Sequence, residues 1–119
     1  MAHNGVADVQ LKAGSAYGMT VAVISASWNA DITDQLHEHS IAAAKEAGAQ
    51  VSEWRVAGAL ELPVAVAAAC KRFDAVVANG CVIQGETEHF RVVCDAVTYG
   101  LTRAGMDSGT PVGLSLIHI

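Results

Sequence analysis

Residues 74–90 read Asp74-Ala75-Val76-Val77-Ala78-Asn79-Gly80-Cys81-Val82-Ile83-Gln84-Gly85-Glu86-Thr87-Glu88-His89-Phe90, and the succession of patterns along them decides the fold. Asp74 to Asn79, with Ala75-Val76-Val77-Ala78 at its centre, reads as a buried strand. Gly80 to Gln84 reads as a short apolar loop, and a helix is expected to open near Thr87. Strand, tight loop and helix in that order form half of a parallel βαβ unit. A glycine ahead of a helix start lets a ligand approach the backbone, and the first turn offers N–H groups to an anion. His89, placed by this reading in the same turn, adds a group that exchanges protons near neutral pH. An anion cradle beside a proton carrier points to chemistry on a phosphorylated small molecule.

The flanking sequence repeats the alternation. Met19 to Ala26 reads as a central parallel strand, and Ser27-Trp28-Asn29-Ala30-Asp31 as its loop. A helix follows with Asp31 or Thr33 as candidate N-cap, an apolar stripe of Ile32, Leu36, Ala43, Ala44 and Ala47, and Gly48 as its stop. Gln50 to Val56 alternates enough for a sheet edge. Ala57 to Leu62 is a loop, and Pro63 suits the first turn of a helix running to about Phe73. The third helix is expected to end near Ala104. Asp107-Ser108-Gly109-Thr110 reads as a turn, and Pro111 begins a last strand to Ile119. Residues 1–16 read as a flexible arm and 17–119 as one domain.

The order β-α-β-α-β-α-β predicts an α/β fold with a doubly wound parallel four-stranded sheet. Right-handed crossovers and short loops favour the strand order 2-1-3-4. Ligands bind such sheets at the carboxyl ends of strands, near the switch between the first and third. The loops carrying Trp28, Gly58 to Glu61, and Cys81 to His89 all lie at that end. The same crossovers place the second and third helices on one face and the first on the other. One face of the third and fourth strands is then uncovered, and Leu114-Ser115-Leu116-Ile117 becomes an apolar edge.

Composition narrows the function classes. The 119 residues are 52% hydrophobic but only 5% aromatic, which suits close helix–sheet packing and leaves apolar surface for self-association. A net charge of −5 without a Lys/Arg cluster argues against nucleic acid as a partner. The longest apolar run, Leu62 to Cys70, falls short of the roughly 20 residues that span a bilayer, and Met1 to Ala16 lacks the pattern of a secretory leader. No membrane partner is expected. Cys70, Cys81 and Cys94 read as reduced core cysteines of a cytoplasmic protein. His37 and His39, two apart on a helix, diverge and cannot chelate together, so no metal is expected.

Taken singly, several residues keep two readings. Gly85 and Thr87 belong either to an anion cradle or to an ordinary helix start. His89 is a surface histidine or a proton carrier. Glu61 is a solvated loop carboxylate or an acceptor for hydroxyls, and Trp28 either caps the core or stacks on a planar ring. Trp54 packs against a helix or a neighbouring subunit.

Together, Ser27-Trp28-Asn29, Gly58-Ala59-Leu60-Glu61-Leu62-Pro63, Gly80 to Phe90, Val93-Cys94-Asp95-Ala96-Val97-Thr98, Gly100-Leu101, Asp107-Ser108 and Thr110-Pro111-Val112 closely resemble lumazine synthases, over roughly Gly18 to Gly113. The resemblance implies a flavodoxin-like fold. It also implies a riboflavin-pathway transferase that condenses 5-amino-6-(D-ribitylamino)uracil with 3,4-dihydroxy-2-butanone 4-phosphate to 6,7-dimethyl-8-ribityllumazine, with no cofactor. By that resemblance Trp28 stacks on the pyrimidine. Ala59, Leu60 and Glu61 hold the ribityl chain and ring edge, and Cys81, Val82 and Ile83 hold the uracil through backbone contacts. Gly85, Glu86 and Thr87 bind phosphate, and His89 moves protons. Assembly as a pentamer or icosahedral shell is implied as well.

After Val112 the chain departs from the family's pattern, reading Gly113-Leu114-Ser115-Leu116-Ile117-His118-Ile119. The resemblance places a phosphate-binding arginine, a lysine and final helices beyond this point, so the expectation is a C-terminally truncated or altered member. The alternative function is a binding-only or inactive fragment without that arginine.

Overall fold

The computed structural model describes residues 10–85 and 89–119. Strands β1 (Thr20–Ala26), β2 (Gln50–Val56), β3 (Ala75–Val82) and β4 (Val112–His118) form one sheet in the order β2-β1-β3-β4. Every neighbouring pair is parallel. Helices α1 (Ala30–Glu46), α2 (Leu62–Cys70) and α3 (Phe90–Ser108) alternate with the strands, and a 3-10 turn, Ala59–Glu61, leads into α2. The α/β class and the strand order are those expected from the sequence.

The parity of β1 shows how the layers are filled. Ala22 and Ile24 pack with Leu62 and Val66 of α2 and Val97 and Leu101 of α3. Val21, Val23 and Ser25 point the other way, and all are buried. Leu62, Val66, Val97 and Leu101 are almost completely enclosed, and burial of each contributes roughly 1.5–3 kcal/mol. The face of β3 and β4 opposite α2 and α3 is thinner, as expected. Val77 and Ile117 are only half-buried there and Gly113 is exposed. Leu114 on the β4 edge is also exposed.

Several boundaries differ from expectation. β3 continues through Gly80, Cys81 and Val82, which pair with Leu116, Ile117 and His118 of β4, so the loop begins at Ile83. Local sequence could not reveal that partner. The cap of α1 is Asn29, in the left-handed region at φ 62°, while Asp31 and Thr33 lie inside the helix. Asparagine tolerates this conformation better than most residues, and Ser27 N–H and Trp28 N–H are already bonded to Val56 and Ala57 carbonyls across the sheet end. The buried line of α1 is Thr33 and His37, with Ile32, Leu36, Ala43 and Ala44 half-buried beside it. α2 ends at Cys70, and a turn carries the chain to Phe73.

α3 begins at Phe90 with His89 as its N-terminal cap, so His89 precedes the first turn instead of lying within it. The start expected at Thr87 falls on 86–88, outside the described residues. The helix runs on to Ser108 because its last turn is satisfied locally. Arg103 bonds Asp107 at 3.0 Å and Ser108 Oγ donates to the Ala104 carbonyl at 2.6 Å. Gly109, at φ 75°, then ends it. Near the N-terminus, Ala16 N–H donates to the Ala47 carbonyl at 2.7 Å, which ties the residues before β1 to the turn after α1. Among the described residues no helix is long and apolar enough to cross a membrane.

Where α2 and α3 pack together, Gly100 faces Pro63. A Cβ at Gly100 would lie 2.7 Å from the Pro63 Cβ, and a proline ring cannot swing aside. Gly100→Ala would gain about 1 kcal/mol of helix propensity but incur about 1–3 kcal/mol of overpacking. A lower urea midpoint is expected. An unchanged or higher midpoint would show that the helices can separate freely.

Candidate active site

Three loops leave the carboxyl ends of β1, β2 and β3 and enclose a cavity of about 480 Å³. Its walls include Trp28 and Asn29 from the first loop and Ala59, Leu60 and Glu61 from the second. Cys81, Val82 and Ile83 come from the end of β3, and Phe90 and Val93 from α3. The seven residues expected from the resemblance to contact the pyrimidine and ribityl chain therefore surround one space. A smaller cleft of about 300 Å³ lies between β2 and α2, beside Trp54, Arg72 and Phe73. It sits away from the convergence of strand ends where parallel sheets bind ligands.

The loops are stitched together by backbone bonds. Ser27 N–H donates to the Val56 carbonyl at 2.7 Å, and Trp28 N–H to the Ala57 carbonyl at 3.0 Å. The indole then lies over Gly58, where a Cβ would come within 2.6 Å of the ring. Trp28 is 65% exposed, so it lines the cavity and does not cap the core. Asn29 Nδ2 donates to the Cys81 carbonyl at 3.4 Å, linking the first loop to the end of β3. Leu60 is exposed and Glu61 half-buried, while Ala59, Cys81 and Val82 are buried.

Of the three residues expected to bind phosphate, Gly85 lies among the described residues. Gly85 and Ile83 are exposed, and a Cβ at Gly85 would meet nothing within 4 Å, so its backbone is accessible. Glu86 and Thr87 lie outside the described residues. His89 is exposed at the cap of α3, immediately before Phe90. Phe90 in turn stacks edge-on with His118 at 5.9 Å between ring centres.

Asn29, Phe90 and Val93 line the cavity although the sequence assigned them no role. The spacing of Phe90 and Val93, three apart, was a usable signal, because residues so placed share one face of a helix. Nothing local marked the bond from Asn29 to Cys81. Trp54 meets Phe73 edge-on at 5.5 Å, so it packs beside α2, remote from the cavity. Cys70, Cys81 and Cys94 are free and buried.

Chemically, the cavity presents an exposed aromatic face, a carboxylate and backbone groups from three loops. A thiolate nucleophile is absent from this set. Burial pushes the Cys81 thiol above its ordinary range, and the Asp31 carboxylate pushes it further.

A family model for 6,7-dimethyl-8-ribityllumazine synthase matches residues 18–119. The chain belongs to that family. The match extends beyond the Gly18–Gly113 span in which the lumazine synthase motifs are legible by eye. A relative named 6,7-dimethyl-8-ribityllumazine synthase from Corynebacterium jeikeium is 95% identical over 119 residues, covering 100% of this chain and 74% of its own length. The Corynebacterium urealyticum protein of the same name is 64% identical over the same shares. A more distant one, from Salinispora arenicola, is 46% identical over 104 residues, 87% of this chain and 63% of its own.

The raised Cys81 value gives a prediction with a definite sign. A thiol held above its usual range carries less thiolate at pH 8 than a free cysteine, and burial blocks reagent as well. Burial likewise raises Cys94, with Asp95 adding to it. The native protein at pH 8 is expected to react with a thiol reagent more slowly than the urea-unfolded chain. A fast native phase assigned to Cys81 would contradict the description.

Proposed function

We propose that the cavity at the carboxyl ends of β1, β2 and β3 is the site of the family's reaction. The function is that of a riboflavin-pathway lumazine synthase. It condenses 5-amino-6-(D-ribitylamino)uracil with 3,4-dihydroxy-2-butanone 4-phosphate to 6,7-dimethyl-8-ribityllumazine, releasing phosphate and water. One observation carries the assignment of the site: loops far apart in sequence bring Trp28, the Ala59–Glu61 turn and the end of β3 around a single space. The binding-only alternative is not favoured, since the family model and the near-identical relative both carry the enzyme's name.

In this reading the Trp28 indole stacks on the pyrimidine. Backbone groups of Cys81, Val82 and Ile83 meet the polar edge of the uracil, and Ala59, Leu60 and Glu61 receive the ribityl chain. Gly85, Glu86 and Thr87 bind the phosphate of the second substrate. His89 transfers protons as the amine adds to the ketone, as water and phosphate leave, and as the ring closes. Each of these bond-making and bond-breaking steps is accompanied by a proton transfer between reactants held together, so preorganisation and acid–base catalysis supply the acceleration. A protonated Cys81 suits this role, because the chemistry needs its carbonyl and not its sulfur.

Self-association, as a pentamer or larger shell, is part of the proposal. Val92, Tyr99 and Met106 recur every seventh residue along α3 and are all exposed, forming an apolar stripe of the kind that marks protein contacts. A single monomeric species in sedimentation at tens of micromolar would refute it. A cytoplasmic location is proposed on the three free, buried cysteines.

Lumazine formation from the two substrates, followed by fluorescence, tests the catalytic assignment. His89→Ala is expected to lower kcat about 10²-fold. Equal rates for parent and variant would remove His89 from the chemistry.

A further inference from the structure

α1 meets the sheet through a polar line that the mechanism above does not use. Thr33, His37 and Ser40, spaced four and three residues apart, face inward, with His37 only 4% exposed. Buried polar groups cost stability unless paired, and these are paired. His37 Nδ1 lies 2.6 Å from Ser25 Oγ, and His37 Nε2 lies 2.9 Å from Glu53 Oε1. Asn79 Nδ2 donates to Ser25 Oγ at 3.1 Å and to Ser40 Oγ at 3.0 Å. Ser40 Oγ donates to the Leu36 carbonyl at 2.7 Å. Among the described residues no buried side-chain nitrogen or oxygen lacks a partner.

For a neutral imidazole at His37, donor accounting gives this chain one direction. The Glu53 carboxylate only accepts, so Nε2 of a neutral His37 carries the hydrogen. Nδ1 is then an acceptor, and the Ser25 hydroxyl donates to it. The Ser25 oxygen is left to receive an N–H from Asn79. Ser25 and Asn79 are register partners on β1 and β3, so the chain crosses from the β2 edge to the strand that forms the cavity floor.

Both strand residues stand just ahead of the cavity. Ser25 is three residues before Trp28, and Asn79 two before Cys81. α1 itself starts directly after Trp28 and Asn29, and Thr33 Oγ1 donates to the Asn29 carbonyl at 3.3 Å. The position of α1 on the sheet therefore sets where the indole stands relative to Cys81.

We propose that His37, acting through its Nδ1 bond to Ser25, is a positioning residue for the active-site cavity: it holds the Trp28 loop at its working distance from the end of β3. The inference rests on the assignment of the cavity made above. Apolar residues at these positions would pack α1 without fixing its register along the strands, whereas a directional chain permits one register.

Two substitutions separate the two ring nitrogens. His37→Asn keeps a polar atom near Nδ1 for Ser25 and cannot reach Glu53. His37→Gln reaches Glu53 and leaves Ser25 without its acceptor. Each is made in a Trp54→Phe background, and 6,7-dimethyl-8-ribityllumazine is titrated against Trp28 fluorescence. His37→Gln is expected to raise Kd about tenfold, in line with the sensitivity of sites to displacements of an ångström or less. His37→Asn is expected to remain within about twofold of the parent, even with a lower unfolding midpoint. Ser25→Ala should repeat the loss seen with His37→Gln, and carries the test if that variant does not fold. Equal Kd values for Ser25→Ala, His37→Gln and the parent would overturn the positioning role while leaving the cavity assignment intact. An equal loss in His37→Asn and His37→Gln would reduce His37 to general stability and overturn it too. No quenching in the parent would overturn the cavity assignment, and the positioning role with it.

Discussion

The pairing of β1 with β3 is the constraint on which the rest of the structure depends. Residues 21–25 run parallel to 75–79 in continuous register, with Val23 opposite Val77 and Ser25 opposite Asn79. Parallel strands need a crossover, and each crossover here is a helix. Because all four strands point the same way and each helix carries the chain back, the loops that follow strands emerge at one edge. Trp28 and Cys81 come together for that reason, although 53 residues separate them in the chain. The two layers flanking the pair differ in kind. On one face Ala22, Ile24, Val76 and Ala78 sink into an apolar core with α2 and α3. On the other, Ser25 and Asn79 meet α1 through hydrogen bonds. An apolar core gives stability with little directional demand, whereas the polar layer accepts one alignment.

The candidate site follows from this division. Its floor is the end of a strand buried on both sides, and its walls are short loops bonded to one another at Ser27, Trp28 and Ala57. Little in such a frame has to reorganise when a ligand enters. That suits a condensation whose difficulty is to bring two small molecules together in the right order. Gly58 contributes by what it lacks, since any Cβ there would strike the Trp28 ring. Cys81 contributes through the carbonyl that receives Asn29, while burial pushes its thiol above the ordinary range.

Much of this was legible in the sequence, and the rest was hidden for physical reasons. An apolar run on both parities at 19–26 and a buried-strand run at 74–79, with Gly48 and Pro63 as punctuation, carry the strand order, because few parallel arrangements accept such short crossovers. The motifs around Trp28, Glu61 and Cys81 carry the contents of the cavity. The extension of β3 through Val82 was not legible, since it depends on a partner more than thirty residues away. The left-handed cap at Asn29 was missed because cap signals favour residues in extended conformation. The buried line of α1 was misread for the opposite reason: periodicity seeks apolar residues, and here Thr33, His37 and Ser40 face the sheet.

The most direct test of the central claim is a backbone and indole NMR titration with 6,7-dimethyl-8-ribityllumazine. The account predicts shift changes concentrated at the Trp28 indole and at the amides of Ala59, Leu60, Glu61, Cys81 and Ile83, with Trp54 and Phe73 unaffected. Changes confined to the cleft beside Trp54 and Phe73, with Trp28 and Cys81 unmoved, would contradict it.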